Sequence, residues 1–463
     1  MVKEAVWFCG PDVKKRVIAG KTILLTIRGN RLLVLNRQAA AIWDQLENLD
    51  GCRESEIWLA IKCEYLGVSD ERLRTDIHSF LSGLHKSGFI HQRGVSLKLN
   101  FSGDQKFNAA SHFAFSEYLH QIAAKSNIPI SGGLEITQRC NLRCLHCYID
   151  NQPASNGAEL STDESYNLLD QIAESGCLWL LFTGGEPLLR KDFSEVYYHA
   201  KKLGMIITVF TSATTFTEQI ADLFAEYPPF LIEATLHGVT EATFDAVSGV
   251  RGSFRHFCHG LELLRKRNIA FHLKTIVMRQ NLHEIGAART FALDMGAKEF
   301  RFDPMVNMDF FHSSKALGLR ISVEEATKLD FLNPYRSRWK KIFRGAAAKN
   351  KNQHFSSNFL FPCRAGKCSF TISADGQLLP CVLMRVPAYR LREMTFAKGW
   401  EELNHYATTV RMKENNPCLI CSAKTCPKCP AWGYLEHGDP DVKSQFACAL
   451  QQKREKLFLS HNI

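Results

Sequence analysis

No stretch of this 463-residue chain is apolar for long enough to cross a bilayer, and no secretory signal is found. A membrane-spanning or exported protein is therefore not expected, and the cytoplasm is. No nucleic-acid-binding motif appears. The 57 Lys and Arg against 47 Asp and Glu leave a formal charge of +10, modest for this length. Scattered solvated cations account for it, and an acidic peptide is the anionic partner it would suit. A disulfide scaffold is not expected either, because the sixteen cysteines come without a secretory signal. At 45% hydrophobic and 22% charged, the composition is that of a folded globular protein. The chain is too long for one core, so two or three domains are expected.

What the chain does have is clustered cysteine. Eleven of the sixteen fall in residues 140–147 and 363–448. The run Cys140-Asn141-Leu142-Arg143-Cys144-Leu145-His146-Cys147 sets three thiols at C-x3-C-x2-C spacing, directly after the strand-like Gly133–Thr137. Three thiolates on one short loop can hold three corners of a [4Fe–4S] cluster and leave the fourth iron open to a small molecule. Four-thiolate zinc sites usually come as two C-x2-C pairs, which this loop is not. The loop resembles the signature of the radical S-adenosylmethionine (SAM) enzymes. That resemblance implies that the open iron binds the amino and carboxylate groups of SAM. One electron then cleaves SAM to methionine and a 5′-deoxyadenosyl radical.

From residue 133 the pattern alternates strand and helix. Strands are expected over 133–137, 177–183, 205–211, 230–237, 270–277 and 298–304, with helices over 161–175, 192–203, 216–227, 253–267 and 282–295. Six βα units predict an α/β fold with a parallel sheet, two units short of a full TIM barrel. They resemble the partial (β/α)6 barrel of the radical SAM family, here over residues 131–310, with chemistry at the C-terminal strand ends. Thr183-Gly184-Gly185-Glu186-Pro187 resembles the family's G-G-E-P element, which implies that Gly184, Gly185 and Glu186 face the methionine end of SAM. Thr211-Ser212-Ala213 departs from the family's Thr-Asn-Gly but keeps Ser212 as a candidate ligand. Glu233-Ala234-Thr235-Leu236-His237-Gly238 resembles Ser-Leu-Asp-Gly, so Thr235 is a candidate for the SAM ribose or carboxylate. Arg251 is a candidate partner for the carboxylate, and equally a solvated surface arginine. His146 and His237 are read as packing or supporting donors, with no chemistry of their own.

Ahead of this lies a small domain at residues 1–95. Two β-rich runs, 21–27 and 31–35, flank the hairpin signal Arg28-Gly29-Asn30. Helices are expected over 39–49, 54–64 and 69–87, the last capped by Ser69, and then a closing strand at 89–92. This α+β unit is winged-helix-like and also fits a DNA-binding module. It resembles the peptide-chaperone domain of quinone-cofactor biosynthesis. That implies binding of the leader of a precursor peptide as an added strand on a sheet edge. Cys52 and Cys63 lack partners at ligand spacing and are read as buried small apolar residues. Residues 96–130 are expected to be a linker, with Ser102-Gly103-Asp104 and Asn108 in loop, followed by a bridging helix over 112–124. Residues 311–360 are read as a connection. It holds a helix over 321–332 capped by Ser322, and a basic run at Lys340-Lys341 and 344–351 lying solvated over the barrel mouth.

Residues 361–463 hold the second cysteine field: Cys363, Cys368, Cys381, Cys418, Cys421, Cys426, Cys429 and Cys448. Eight cysteines suffice for two fully ligated [4Fe–4S] clusters. Two zinc sites fit the C-x2-C pairs 418/421 and 426/429 as well, and the upstream loop decides for iron. The array resembles the SPASM domain. By that resemblance Cys363, Cys368, Cys381 and Cys429 hold one auxiliary cluster and Cys418, Cys421, Cys426 and Cys448 the other, although the gaps before Cys426 and Cys429 are shorter than the family's. Sulfatase-maturing relatives place an aspartate base directly after the equivalent of Cys381. Here that residue is Val382, which disfavours their reaction.

Together the resemblances imply a radical SAM/SPASM maturase. It would use SAM and three [4Fe–4S] clusters to form an oxidative intramolecular cross-link, thioether or carbon–carbon, in a ribosomally made precursor. Its expected partners are that precursor, through its leader, and an electron donor such as flavodoxin or ferredoxin. Peptide epimerisation, another peptide modification, a non-catalytic iron–sulfur electron carrier and a zinc-stapled peptide-binding module are the alternatives. No catalytic acid or base is assigned.

Overall fold

The computed structural model describes residues 4–459 apart from 50, 66, 93–108, 150–157, 333–334, 350–357, 422 and 424. The predicted loop residues 102–104 and 108 lie outside the described residues. Strands β1 (Val6–Cys9), β2 (Val13–Ile18), β3 (Lys21–Thr26) and β4 (Leu32–Leu35) open the chain. Helix α1 (Arg37–Asn48), strand β5 (Cys52–Arg53), helices α2 (Glu54–Ile61) and α3 (Asp70–Lys86), and strand β6 (Ile90–Gln92) follow. The Ser69 hydroxyl caps α3 as expected, accepting from the Arg72 N–H. The β3–β4 hairpin forms, and three strands that the pattern missed, β1, β2 and β5, complete the unit. β2 pairs antiparallel with β3, and β1 lies between β5 and β6 in a separate small sheet. Cys52 is buried as read, but Cys63 is exposed, because it falls in the 3-10 turn that ends α2.

Helix α4 (Ala109–Lys125) leads into six parallel strands: β7 (Ser131–Thr137), β8 (Trp179–Gly184), β9 (Ile206–Thr211), β10 (Leu231–Thr235), β11 (Phe271–Ile276) and β12 (Glu299–Asp303). The helices between them are α5 (Thr162–Glu174), α6 (Phe193–Lys202), α7 (Glu218–Glu226), α8 (Glu241–Ser248), α9 (Ser253–Lys266) and α10 (Ile285–Asp294). Alternation along the strands decides the core. Leu134, Ile136, Leu180, Phe182, Ile207, Val209, Ile232, Ala234, Phe271 and Leu273 face the helices in one continuous cluster. The residues between them face the other way and are often charged.

After β12 come α11 (Lys315–Leu319), α12 (Val323–Leu329) and α13 (Tyr335–Lys349). The basic run is therefore not a connection over the open ends of the strands, as far as it is described. Its Lys340-Lys341 lies in α13, whose Phe343 is buried and stacks on Phe458. The Tyr335 hydroxyl donates to the Phe300 carbonyl near the start of β12, the opposite end of the sheet. Strands β13 (Ser369–Ile372), β14 (Gln377–Leu379) and β15 (Tyr389–Arg390) then extend the parallel sheet beyond β7. The nine-strand order is β12-β11-β10-β9-β8-β7-β13-β14-β15. Helices α14 (Phe396–Thr409), α15 (Pro430–His437) and α16 (Gln445–Leu459) finish the chain.

Candidate functional site

The three thiols of Cys140, Cys144 and Cys147 stand at the C-terminal end of β7. Their loop is held by backbone bonds and by Asn141, whose Nδ2 donates to Thr214 Oγ1 at 2.8 Å. Arg143 N–H donates to Ser248 O at 2.8 Å and Leu145 N–H to Val247 O at 2.9 Å. Two glycines permit the fit. A Cβ on Gly185 would stand 2.3 Å from Arg139 O, and one on Gly249 would stand 2.5 Å from Arg143 O. Burial pushes the Cys140 thiol up to about 11, with Glu186 and Cys147 adding to it. It raises Cys144 further, again with Cys147 and Cys140 contributing. Each of these thiols thus feels its neighbours. Among the described residues no three such side chains close on one point as the ligands of a single ion do. Three crowded thiols around a volume fit the corners of a cluster, and loading it must remove their protons.

Glu186 anchors the tips of the next two strands. It is fully buried, and burial raises its carboxyl pKa. Its carboxylate accepts from Ser212 N–H (2.6 Å), Ser212 Oγ (2.7 Å), Thr211 Oγ1 (2.7 Å) and Leu188 N–H (3.2 Å). The expected ligands Glu186 and Ser212 are therefore bonded to each other, and the Ser212 hydroxyl also meets Thr214. A Cβ on Gly184, whose φ is +127°, would lie 2.2 Å from Thr137 O. Thr235 ends β10 on the face away from the helices, level with Lys274 across the β10–β11 ladder. Arg251 lies on the surface in the turn between α8 and α9.

The inward face of the sheet carries groups the sequence reading missed. Arg385 reaches back to Glu135 on β7 with two hydrogen bonds, 2.7 and 3.0 Å, and its guanidinium lies 4.1 Å from the centre of the Phe310 ring. Burial pushes the Glu135 carboxyl up and Arg385 pulls it back. Arg301 pairs with Glu233, while the side chain of Lys274 on the same face has no hydrogen bond or ion pair among the described residues. Ile276, two residues on, packs against the same apolar cluster as Leu145 of the cysteine loop, Leu383 and Tyr434. This places Lys274 in the space that the loop closes. His146 is half-buried there, its Nδ1 buried and unpartnered, and desolvation brings its pKa down to about 4, with Lys274 contributing. A signal existed: Glu135, Glu233, Lys274 and Arg301 interrupt parallel strands that would be uniformly apolar if both faces were packed.

The C-terminal thiols fall into two neighbourhoods. Burial raises Cys381 to about 12 and Cys429 to about 11, and both also feel Cys363. Burial likewise raises Cys418 and Cys426, which share Cys421 and Cys448 as neighbours. One open pocket is lined by Cys418, Cys421, Cys426, Cys429 and Cys448. Cys429 stands between the two groups, at the N-cap of α15. Cys368 differs from the rest. It is fully buried in an apolar cluster with Ile130, Leu178 and Leu119, with Cys363 as its nearest thiol influence.

Beneath the sheet, at the N-terminal strand ends, sits β2–β3–β4. Its Ile18, Ile23 and Leu25 pack with Leu178 and Ile206. Arg16 donates to the carbonyls of Ala173, Cys177 and Leu203. Its other face packs on α1, α2 and α3 through Leu24 and Leu35. Among the described residues, edge strands β2 and β4 each pair only with β3.

Comparison with known families finds the radical SAM superfamily model over residues 134–292 and that of coenzyme PQQ synthesis protein D (PqqD) over residues 21–90. The chain is 26% identical over 332 residues to the AdoMet-dependent heme synthase of Methanosarcina barkeri, covering 68% of this chain and 95% of that one. It is also 26% identical over 357 residues to the PqqA peptide cyclase of Bradyrhizobium diazoefficiens, covering 72% and 89%. In fold it is similar to Streptococcus suis SuiB bound to precursor peptide SuiA, with a TM-score of 0.57 at 15% identity, over 96% of this chain and 99% of that one.

Proposed function

From a chain that joins a radical SAM domain to a PqqD-like peptide-recognition domain, we infer a peptide maturase that cross-links residues of a ribosomally made precursor. The observation that carries it is the joining itself: a thiol triad at the C-terminal strand ends, and a sheet with free edges fixed to the other end of the same strands. The PqqA peptide cyclase relative supports a peptide as substrate. We read the six parallel strands as a partial (β/α)6 barrel at 131–310. The N-terminal unit at 1–95 is read as winged-helix-like, and residues 361–463 as an iron–sulfur domain, with 96–130 and 311–360 as connections.

Cys140, Cys144 and Cys147 would hold the radical SAM [4Fe–4S] cluster. When bound, cluster and SAM supply reductive cleavage to methionine and a 5′-deoxyadenosyl radical, which takes hydrogen from the substrate. The chain's own residues do the rest. Gly184 and Gly185 bring backbone groups close to the amino end of SAM. Glu186 fixes that backbone through Ser212 and Thr211, so we give both Glu186 and Ser212 a positioning role. Thr235 and Arg251 are the hydroxyl and cation offered to ribose and carboxylate. Glu135 and Arg385 would tie the C-terminal cysteine field to β7. Cys363, Cys368, Cys381 and Cys429 would hold one auxiliary cluster and Cys418, Cys421, Cys426 and Cys448 a second. A flavodoxin or ferredoxin would be the donor of electrons. One hydrogen of the precursor would go to the 5′-deoxyadenosyl radical and a second would leave as a proton, its electron passing to an auxiliary cluster as the cross-link closes, so the product is roughly 2 Da lighter than its precursor.

The test is anaerobic reconstitution of the Cys140→Ala, Cys144→Ala, Cys147→Ala triple variant. Iron should fall from about twelve to about eight per chain, four for each [4Fe–4S] cluster, and 5′-deoxyadenosine formation should stop. Residual 5′-deoxyadenosine in the variant would overturn the assignment.

A further inference from the structure

The geometry points to His237 as the residue that sets the reduction potential of the cluster at the cysteine loop, by donating its Nε2–H to the Cys144 sulfur. Nε2 lies 3.5 Å from Cys144 Sγ, within range for a hydrogen bond to sulfur. The neighbouring sulfur, Cys140 Sγ, receives a backbone N–H from Leu142 at 3.4 Å. Of these two sulfurs, Cys140 is thus met by a backbone donor and Cys144 by the side chain of His237.

Its ring is buried between two other rings. It is 3% exposed. Phe244 packs edge-on at 4.9 Å between ring centres, and His146 lies at 5.4 Å. The backbone is fixed as well: Asn281 Nδ2 donates to His237 O at 3.0 Å, and Leu236 N–H donates to Lys274 O at 2.8 Å. A ring with no freedom to turn away is suited to tuning a ligand. The residue type matters too. The segment resembles Ser-Leu-Asp-Gly, and an ionised aspartate there has no proton to give a thiolate. An imidazole N–H has one.

The direction of the effect follows from charge. Reduction adds an electron to the cluster and concentrates negative charge on its sulfurs. A donor aimed at a sulfur then gains strength, so the reduced form is stabilised more than the oxidised form and the potential rises. In a buried site this counts for more than at a surface. A higher potential lets a weaker electron donor reduce the cluster.

This rests on the radical SAM reading, and the experiment separates the two. The full chain is reconstituted anaerobically, and the electron paramagnetic resonance signal that responds to SAM is followed in a redox titration. His237→Phe should keep its iron and its SAM-responsive signal, yet lower the midpoint. The expected size is about a tenfold loss in the reduced-to-oxidised ratio at fixed potential, 59 mV for a one-electron couple. His237→Gln, which keeps an N–H donor, should recover most of it. An unmoved midpoint in His237→Phe, or an equal shift in both variants, overturns the inference and leaves the family reading intact. If His237→Phe cannot hold the cluster, the wild-type protein labelled with 15N-histidine decides. Histidine nitrogen coupling to the reduced cluster supports the contact, and its absence overturns it. A wild-type chain with iron but no SAM-responsive signal overturns the family reading itself.

Discussion

Among single residues, Cys368 stands apart from the other thiols of the C-terminal field. It is 0% exposed and lies against Ile130, Leu178 and Leu119 in an apolar cluster. Cysteine alone is often a small buried hydrophobe, so packing explains the position without any metal. Its neighbour Cys363, however, is exposed and close enough to raise the Cys368 thiol, which burial already pushes up to about 11. Two thiols on either side of the turn at residues 364–367 suit one cluster better than they suit a core. Cys368→Ala should therefore lose one auxiliary cluster, about four irons per chain, with the SAM-responsive cluster untouched. A variant with full iron and an unchanged spectrum would make Cys368 a packing residue and leave that cluster an open iron. The cysteines were legible because spacing alone exposes them. The Glu135–Arg385 pair was not, since its partners lie 250 residues apart and nothing local signals it.

Elements were legible where periodicity had a single cause. All six parallel strands fall within two residues of their expected limits, because each is bounded by a helix cap or a turn. The β13–β14–β15 extension was not, because a short strand against β7 shows no pattern until its neighbour is known. Helix α13 was misread for its charge: a basic run on a helix buries one stripe, and Phe343 is that stripe. Helix α6 shows what charge inside an interface does. Its Lys201 is 2% exposed, with Nζ donating to Asn30 Oδ1 at 2.7 Å and Pro228 O at 3.0 Å, tying the N-terminal sheet to the α/β core. Burial brings its pKa down to about 7, against a weaker upward pull from Asp12. Unfolded, Lys201 holds its proton up to about pH 10.4. Between these values the unfolded chain binds the extra proton, so this group makes stability rise with pH from about 7 to about 10.4. Below pH 7 both states are protonated and its contribution is flat. Thermal melts at pH 7.5 and 9.5 should show a larger gain for the wild-type chain than for Lys201→Met. Equal gains would place the proton elsewhere.

At the scale of the whole molecule, the β2–β3–β4 sheet and the cysteine loop lie at opposite ends of the same strands, which is where the proposed function puts recognition and chemistry. β2–β3–β4 packs face-on beneath the N-terminal ends of β8 and β9, and the cysteine loop and Gly184–Glu186 lie beyond the C-terminal ends. A six-residue strand such as β8 spans roughly 20 Å at about 3.3 Å per residue. A precursor held at the lower sheet and modified at the upper end must therefore carry at least about six residues between leader strand and target. The same packing rules out a simple deletion as a test, because removing residues 1–95 would uncover Ile130, Leu178 and Ile206. A point change in β4 is cleaner. Thr26 N–H donates to Arg31 O, so hydrogen bonds alternate along the hairpin and Leu24 pairs with Leu33 in a bonded position. Ile23 and Val34 then form a non-bonded pair, and the Val34 N–H points out to the free edge of β4. Val34→Pro removes that donor while sparing the β3 ladder and most of the apolar bulk. SAM cleavage in the absence of peptide should be unchanged. Turnover of the full-length precursor should fall at least tenfold, chiefly through KM, because the loss is one of binding. If turnover is unaffected while Val17→Pro on the β2 edge abolishes it, the leader adds to the other edge. If neither change matters, the precursor is not held by strand addition to this sheet.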